Sequence, residues 1–269
     1  MARVVLIDAL NLIRRLYAVQ ERPYLPLADD IAETTRQQII SNTRQVLAQA
    51  LKRLQQELQP SHALLVFDGG HSVWRQQLCP LYKANRKPMP AILAEALPTL
   101  ITDTEQLGIR CFMQAEYEAD DVIATIANKV RIHQQDAIVV STDKGYLPLL
   151  PQGVQIYDAF ARHFLDTDYV KQKFGVAPEQ LLSWWALVGD STNNIPGVTG
   201  VGPKSAEELM QLGASLNQAL QHPDCPKKLR QKILEQKQDI LVYIQVLALQ
   251  TNLELGLNLQ DIRLPEQEA

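Results

Sequence analysis

Short apolar runs punctuate the first half of the chain: VVLI at 4–7, LLVF at 64–67, a third at 109–112 and IVV at 138–140. Continuous runs of this length fit strands buried on both faces. Helical patterns lie between them. Over residues 31–58, Ile39, Ile40, Thr43, Leu47, Leu51, Leu54 and Leu58 recur at three- and four-residue spacing. Asp30 and Glu33 read as a capping box before that helix, and Pro60 follows its end. Over residues 119–133, Val122, Ile123, Ile126 and Val130 share one helical face. Such strand–helix alternation predicts an α/β domain with a mostly parallel sheet. After about residue 175 the pattern changes to helices at 178–188, 203–212 and 227–249, with no strand. The expected division is therefore an α/β domain over 1–175 and a smaller helical domain over 176–269.

Composition narrows the class. With 46% hydrophobic and 21% charged residues in 269, wholesale disorder is excluded. Lys and Arg number 26 against 30 acids, a net charge of −4, which excludes a strongly basic nucleic-acid wrapper but leaves room for a local basic patch. Cys79, Cys111 and Cys225 lie far apart with no CxxC pair, so no zinc ribbon or disulfide framework is expected. No run approaches the roughly 20 apolar residues that span a bilayer. A soluble cytoplasmic protein is expected, with no membrane association.

Acids gather where the strands end. Asp8 follows VVLI, Asp68 follows LLVF and Asp143 follows IVVST. Open α/β sheets place their sites at the carboxyl ends of strands. The EYEADD segment adds Glu116, Glu118, Asp120 and Asp121 at a helix start. A helix N-terminus offsets only part of that charge, and a divalent cation would offset the rest. Carboxylates with no His or Cys nearby favour magnesium or manganese over zinc. Glu116 reads as solvated surface.

Two further segments carry cations. Residues 71–90 hold Arg75, Lys83, Arg86 and Lys87, no acid, and the interleaved aromatics Trp74 and Tyr82. Charge with stacking surface suits a nucleic-acid strand. The sequence IPGVTGVGPKS at 195–205 lets the backbone turn sharply at Gly197, Gly200 and Gly202, and Pro203 suits a first helical position. Main-chain N–H groups from Gly200, Val201, Gly202, Pro203, Lys204 and Ser205, with the Lys204 ammonium, would cradle a phosphate, although Pro203 itself brings no N–H. Pro203 interrupts the nucleotide P-loop pattern and no strand precedes it, so a nucleotide cofactor is not expected. A helix–hairpin–helix gripping a sugar-phosphate backbone fits better.

Taken together, Asp8, VFD at 66–68, LYKANR at 81–86, EADD at 118–121, STDKG at 141–145 and GDSTNNIPGVTGVGPKSA at 189–206 resemble the 5′-nuclease family. That family includes the 5′ nuclease domain of bacterial DNA polymerase I, phage 5′ nucleases and flap endonucleases. The resemblance implies a PIN-like α/β domain carrying the metals, then a helical domain with a helix-three-turn-helix hairpin. It implies that Asp8, Asp68, Glu118 and Asp120 match the first magnesium site. Asp121, Asp143 and Asp190 match carboxylates of, or beside, a second, and Lys83 and Arg86 match basic residues that steer the scissile phosphate. By motif matching, main-chain oxygens of Leu187, Val188, Pro196, Val198 and Val201 would hold potassium. The usual family DKD reads Asp143-Lys144-Gly145 here, and Asn193 stands where Asp is usual. The second ion is therefore expected to bind weakly.

The function these readings imply is magnesium-dependent flap endonuclease action: phosphodiester hydrolysis in branched DNA with a 5′ flap, carried by Asp8, Asp68, Lys83, Arg86, Glu118 and Asp120, in a chain that works as a monomer. An attenuated or non-catalytic DNA-binding member of the same fold is the alternative. A phosphotransferase with Asp8 as nucleophile would want DxD, and position 10 is Leu10. A small PIN-type RNase is a further alternative, against which the long helical domain with its glycine hairpin argues for duplex DNA.

Overall fold

The computed structural model describes residues 2–26, 31–70 and 72–265. Asp30 of the expected capping box, and His71, lie outside them. The apolar runs form strands β1 (Arg3–Asp8), β2 (His62–Phe67), β3 (Arg110–Met113) and β4 (Asp136–Val140). Two strands not read from sequence extend the sheet, β5 (Gln155–Asp158) and β6 (His163–Leu165). The order is β3-β2-β1-β4-β5-β6, parallel throughout except for antiparallel β6.

Alternating side chains of β1 feed two cores, as the pleat requires. Val5 and Ile7 face α1 (Ala9–Glu21), α2 (Glu33–Leu58) and, after the short α3 (Val73–Leu78), α4 (Ala91–Gln106), through Leu12, Leu51 and Leu93. Val4 and Leu6 face α5 (Ala119–Ile132). The same core continues through Trp185 and Leu187 into the C-terminal helices. These are α6 (Thr167–Phe174), α7 (Leu181–Val188), α8 (Pro203–Met210), α9 (Leu216–Gln221), α10 (Lys227–Glu235) and α11 (Lys237–Leu247).

The long pattern at 227–249 is thus two helices. Gln236 leaves helical geometry at φ −107°, ψ 20°, and its side-chain oxygen accepts from the Thr199 N–H at 3.4 Å. The break lets α10 bury Ile233 while α11 buries Ile240, Val246 and Leu247.

The C-terminal segment, which carries no motif, returns across α5. Thr125 donates to the Gln250 carbonyl at 3.1 Å, and Lys129 to that of Leu253 at 3.1 Å. It ends against β2, where the Leu264 N–H donates to the Ser61 carbonyl at 3.1 Å.

The chain leaves β1 toward β2 on one side and reaches β4 on the other. The crevice beyond the carboxyl ends of β1 and β4 is therefore the topological switch point. Register sets Asp8 opposite Val66, two residues short of Asp68, and Ile7 opposite Val140.

Candidate active site

Asp8 ends β1 and caps α1. Its Oδ1 accepts the Asn11 N–H at 3.1 Å, and its Oδ2 accepts the Ser141 hydroxyl at 3.0 Å. Asp68 accepts the Ala119 N–H at the start of α5 at 2.9 Å. Tyr146, fully buried, donates to Asp120 at 2.8 Å. Asp143 caps the following 3₁₀ segment through the Gly145 N–H at 2.8 Å. These four acids line one cavity of about 260 Å³ together with Lys83, Arg86, Arg14, Arg15 and Thr192.

Burial, with Asp120, Asp143 and Asp68 facing it, pushes the Asp8 carboxyl well above its ordinary value. Burial and Asp120 push Asp143 up as well. Mutual repulsion of this kind among buried acids is what a hard cation offsets. Among the described residues no three acids close into a ready-made ligand cage. The cavity instead has room for a divalent ion that keeps several waters. Asp8, Asp68, Asp120 and Asp143 can therefore hold one hydrated divalent cation.

Glu118 and Asp121, expected among the ligands, are placed differently. Arg75 is 1% exposed and forks onto Asp121 at 2.6 and 2.7 Å. The Gln250 N–H also donates to Asp121, at 2.9 Å, so Asp121 faces the returning C-terminal segment and not the cavity. Glu118 accepts from Arg75 at 2.8 Å, Tyr82 at 3.2 Å and Lys83 at 3.1 Å. Its buried carboxylate aligns the cations beside the cavity. Burial opposes the charge on Lys83, but Asp120, Tyr82 and Glu118 outweigh it and hold its pKa above the ordinary lysine value.

Asp190, 3% exposed, is also occupied. It accepts from Lys144 at 2.6 Å, the Asn193 amide at 2.7 Å and the Thr192 N–H at 3.1 Å. With Asp121 and Asp190 both engaged inside the protein, the second expected group of carboxylates does not fit an ion as it stands.

The segment 71–90 is less of a stacking surface than its sequence suggests. Tyr82 is buried, and the Arg75 guanidinium lies 4.5 Å from the centre of the Trp74 ring. Lys83 and Arg86 do reach the cavity, and Arg86 pairs with Asp68 at 3.3 Å. Three contacts hold this segment on the loop after α7. The Lys83 N–H donates to the Asn193 carbonyl at 3.0 Å, Asn85 to that of Ser191 at 3.0 Å, and the Asn194 amide to that of Leu81 at 2.8 Å.

Arg14 and Arg15 were missed by the sequence reading. Both project from α1 into the cavity lining, and the Arg14 Nε is buried without a partner among the described residues.

Some distance on, the hairpin runs from α7 to α8. Val198 N–H donates to the Leu187 carbonyl at 2.8 Å, and Val201 N–H to that of Val198 at 3.0 Å. A Cβ on Gly189 would stand 2.9 Å from the Ile195 and Pro196 oxygens, and one on Gly197 2.8 Å from that of Leu187. The helix end and the turn thus bring their carbonyls together, with a second lone pair free on each oxygen that accepts once. Gly202, Pro203 and Lys204 are exposed, and Ser205 closes on Gly202. Lys232 of α10, another residue missed from sequence, lies over Gly200, its Nζ 2.7 Å from where a Cβ would be.

A resolvase-like sheet with acids at the switch point, followed by a helical unit with a glycine hairpin, defines a class. Residues 3–175 match the N-terminal resolvase-like domain of 5′-3′ exonucleases and residues 176–269 their C-terminal SAM fold, so the chain belongs to the 5′-3′ exonuclease family. Relatives named flap endonuclease Xni are alike over nearly the full length. That of Colwellia psychrerythraea is 41% identical over 98% of this chain and 92% of its own. That of Vibrio cholerae is 42% identical over 99% and 98%. In fold, the chain is similar to T5 5′-exonuclease with zinc bound, at TM-score 0.71 and 20% identity over 91% of this chain and 89% of that one. The catalytic core of Rad2 in complex with DNA substrate is similar at TM-score 0.55 and 15% identity, over 94% and 80%.

Proposed function

We propose that the chain is a magnesium-dependent, structure-specific 5′ nuclease that cuts branched DNA at 5′ flaps. The observation that carries this reading is a single cavity lined by four acids and by Lys83 and Arg86. Such a site has negative charge for a cation and positive charge for a phosphodiester. Family membership and the flap endonuclease relatives support the same reading. Magnesium at Asp8, Asp68, Asp120 and Asp143 would lower the pKa of a bound water and offset charge on the phosphoryl oxygens.

The protein's own residues do the positioning. Lys83 and Arg86 draw the scissile phosphate against the acids and stabilise charge that grows on its oxygens. Glu118 holds the Lys83 ammonium at 3.1 Å. Tyr146 fixes Asp120, and Ser141 fixes Asp8. Arg14, close enough to Arg86 and Asp68 to feel their charges, adds a further cation to the lining.

The division of labour follows the chain: nuclease unit over 1–175, DNA-binding helical unit over 176–269. In the latter, the turn from Gly200 to Ser205 with Lys204 grips backbone phosphates. The Leu187, Val188, Pro196, Val198 and Val201 carbonyls hold potassium beside one of them. The chain works as a cytoplasmic monomer without a nucleotide cofactor.

Gly145 and Asn193, uncharged at positions where the family usually carries acids, favour one second reading, a DNA-binding member with little or no catalysis. A labelled 5′-flap duplex incubated with the protein, magnesium and potassium separates the two, run beside an RNA version of the flap. Cleavage near the junction of the DNA substrate is expected. Binding without cleavage would establish the second reading.

A further inference from the structure

Asn11 stands in the first turn of α1 and lines the same cavity as Asp8, Asp143, Lys83 and Arg86. Its backbone N–H is taken up by Asp8, at 3.1 Å. Its side-chain oxygen accepts twice from Thr142, from the backbone N–H at 3.0 Å and from the hydroxyl at 3.0 Å. A backbone N–H can only donate, so the amide atom that faces it must be the oxygen. That fixes which way round the amide stands, and the Asn11 side-chain nitrogen has no partner among the described residues. The half-buried side chain thus brings to the cavity lining two N–H donors that the protein itself does not use.

The turn that holds the amide is itself tied to the acids. The Ser141 hydroxyl donates to Asp8 at 3.0 Å and accepts the Asp143 N–H at 3.0 Å. Thr142 lies between them, so the clamp on Asn11 comes from the turn that links Asp8 to Asp143. Two bonds on one oxygen hold the amide in place before any ligand arrives, and a donor fixed in advance needs no reorganisation during reaction. None of the neighbouring carboxylates accepts from it. An anionic oxygen that reaches this cavity from outside is therefore its fitting partner, and Lys83 and Arg86 draw a phosphodiester to the same place.

We propose that the Asn11 side-chain N–H donates to a non-bridging oxygen of the scissile phosphate. The proposal rests on reading the cavity as a nuclease site. In the hydrolysis a water oxygen bonds to phosphorus and the bond to one ester oxygen breaks. One proton of the water reaches the leaving oxygen, and the other stays on the new phosphate or passes to solvent. Asn11 keeps its own protons throughout. Its hydrogen bond strengthens as the non-bridging oxygen gains charge, which favours the transition state over the bound substrate. A neutral donor also suits a site built to hold a divalent cation, because it does not repel that cation as a further ammonium would.

The test uses 5′-flap duplexes with sulfur in place of either non-bridging oxygen at the linkage the wild type cuts. The two diastereomers are separated and compared with the all-oxygen flap under single turnover in magnesium. Asn11→Ala should cut the all-oxygen flap about 10²-fold more slowly, while flap affinity in a non-cleaving metal changes far less. Sulfur accepts hydrogen bonds weakly, so the wild type should cut one diastereomer more slowly through loss of this bond. In Asn11→Ala the bond is already gone, and the sulfur penalty for that diastereomer should shrink about tenfold, with the other penalty unchanged. Were Asn11 only a brace for Thr142, and through it for Asp143, the rate would fall alike on all three substrates. Unchanged penalties in folded Asn11→Ala therefore overturn the proposal. If Asn11→Ala does not fold, Asn11→Asp decides, because it keeps an oxygen for Thr142 and loses the donor. A smaller penalty for one diastereomer in Asn11→Asp supports the proposal, and unchanged penalties overturn it. A wild type that leaves the all-oxygen flap uncut would remove the nuclease reading and the role of Asn11 with it. Cleavage with the same penalties in wild type and variants would leave that reading intact and defeat only the role of Asn11.

Discussion

Arg75 and Asp121 are joined by two hydrogen bonds, 2.6 and 2.7 Å long, with side chains 1% and 2% exposed. Burial opposes the arginine's charge, but the hydrogen bonds and charge of Asp121 outweigh it and hold its pKa above the ordinary value. The guanidinium also donates to the Val246 and Ala248 carbonyls at 2.8 and 3.0 Å, so one side chain links α3, α5 and the end of α11. Arg75→Ala strands a buried carboxylate and should destabilise the fold by about 3–5 kcal/mol. Arg75→Lys loses the planar fork and should rescue little of that. Denaturant midpoints measure both. Asp121→Asn should also lower stability while leaving divalent-ion binding as in the wild type.

Lys83 and Arg86 are the cations through which the site would act on phosphate. Lys83→Ala should lower kcat on a 5′-flap substrate by about 10²–10³, the usual cost of losing one positioned donor to developing charge. KM should change far less. Single-turnover cleavage with saturating enzyme reads the chemical step directly, and an unchanged rate would remove Lys83 from the mechanism.

Protons and metal should compete at Asp8. Its raised pKa means that the folded, metal-free chain keeps a proton which the unfolded chain releases near its ordinary 3.8. The stability this proton contributes is complete below that value and is lost as pH rises through the higher folded value. Asp143 acts in the same direction. Magnesium should offset the loss by displacing the proton and compensating the charge. The thermal midpoint should therefore rise more on adding magnesium at about pH 8 than at about pH 5.5. Equal shifts would mean that Asp8 does not meet the ion.

The sequence reveals the central strands because β1, β2 and β4 are apolar at nearly every position, as two-sided burial demands. It hides β5 and β6 because both are too short to show a run, and β6, at the sheet edge, needs none. QIYD and HFL are short, and Phe164 stays 45% exposed. The acids at strand ends are equally legible, since Asp8, Asp68 and Asp143 follow their strands within three residues. Which acid of a consecutive pair faces the site is not. Asp120 and Asp121 point about 100° apart on α5, and only the packed structure turns one toward Tyr146 and the other toward Arg75. Arg75 reads as part of a DNA-facing basic stretch because sequence shows its charge and not its buried partners. Arg14 carries no signal in the sequence because the cavity it lines is built from strands far along the chain.

The hairpin prediction joins salt, potassium and backbone geometry. Lys204, exposed in the first turn of α8, and Lys232, over Gly200, stand on the same turn. If each neutralises one phosphate, replacing either with Ala should weaken DNA binding alike on all sequences. It should also lower the slope of log affinity against log salt by about one unit. The potassium part separates from this. Gly197 is buried with φ +75°, and a Cβ there would press on Val188 C at 2.7 Å and the Leu187 oxygen at 2.8 Å. Gly197→Ala must therefore open the cluster of carbonyls while leaving both lysines in place. Its DNA affinity should fall and lose its dependence on potassium, with the salt slope nearly unchanged. The wild type should bind DNA more weakly when potassium is replaced by a bulky organic cation at equal ionic strength. Fluorescence anisotropy with a labelled flap duplex in a non-cleaving metal measures all of these. Wild-type affinity indifferent to the cation would remove potassium from the hairpin, and unchanged slopes in both lysine variants would remove the phosphates.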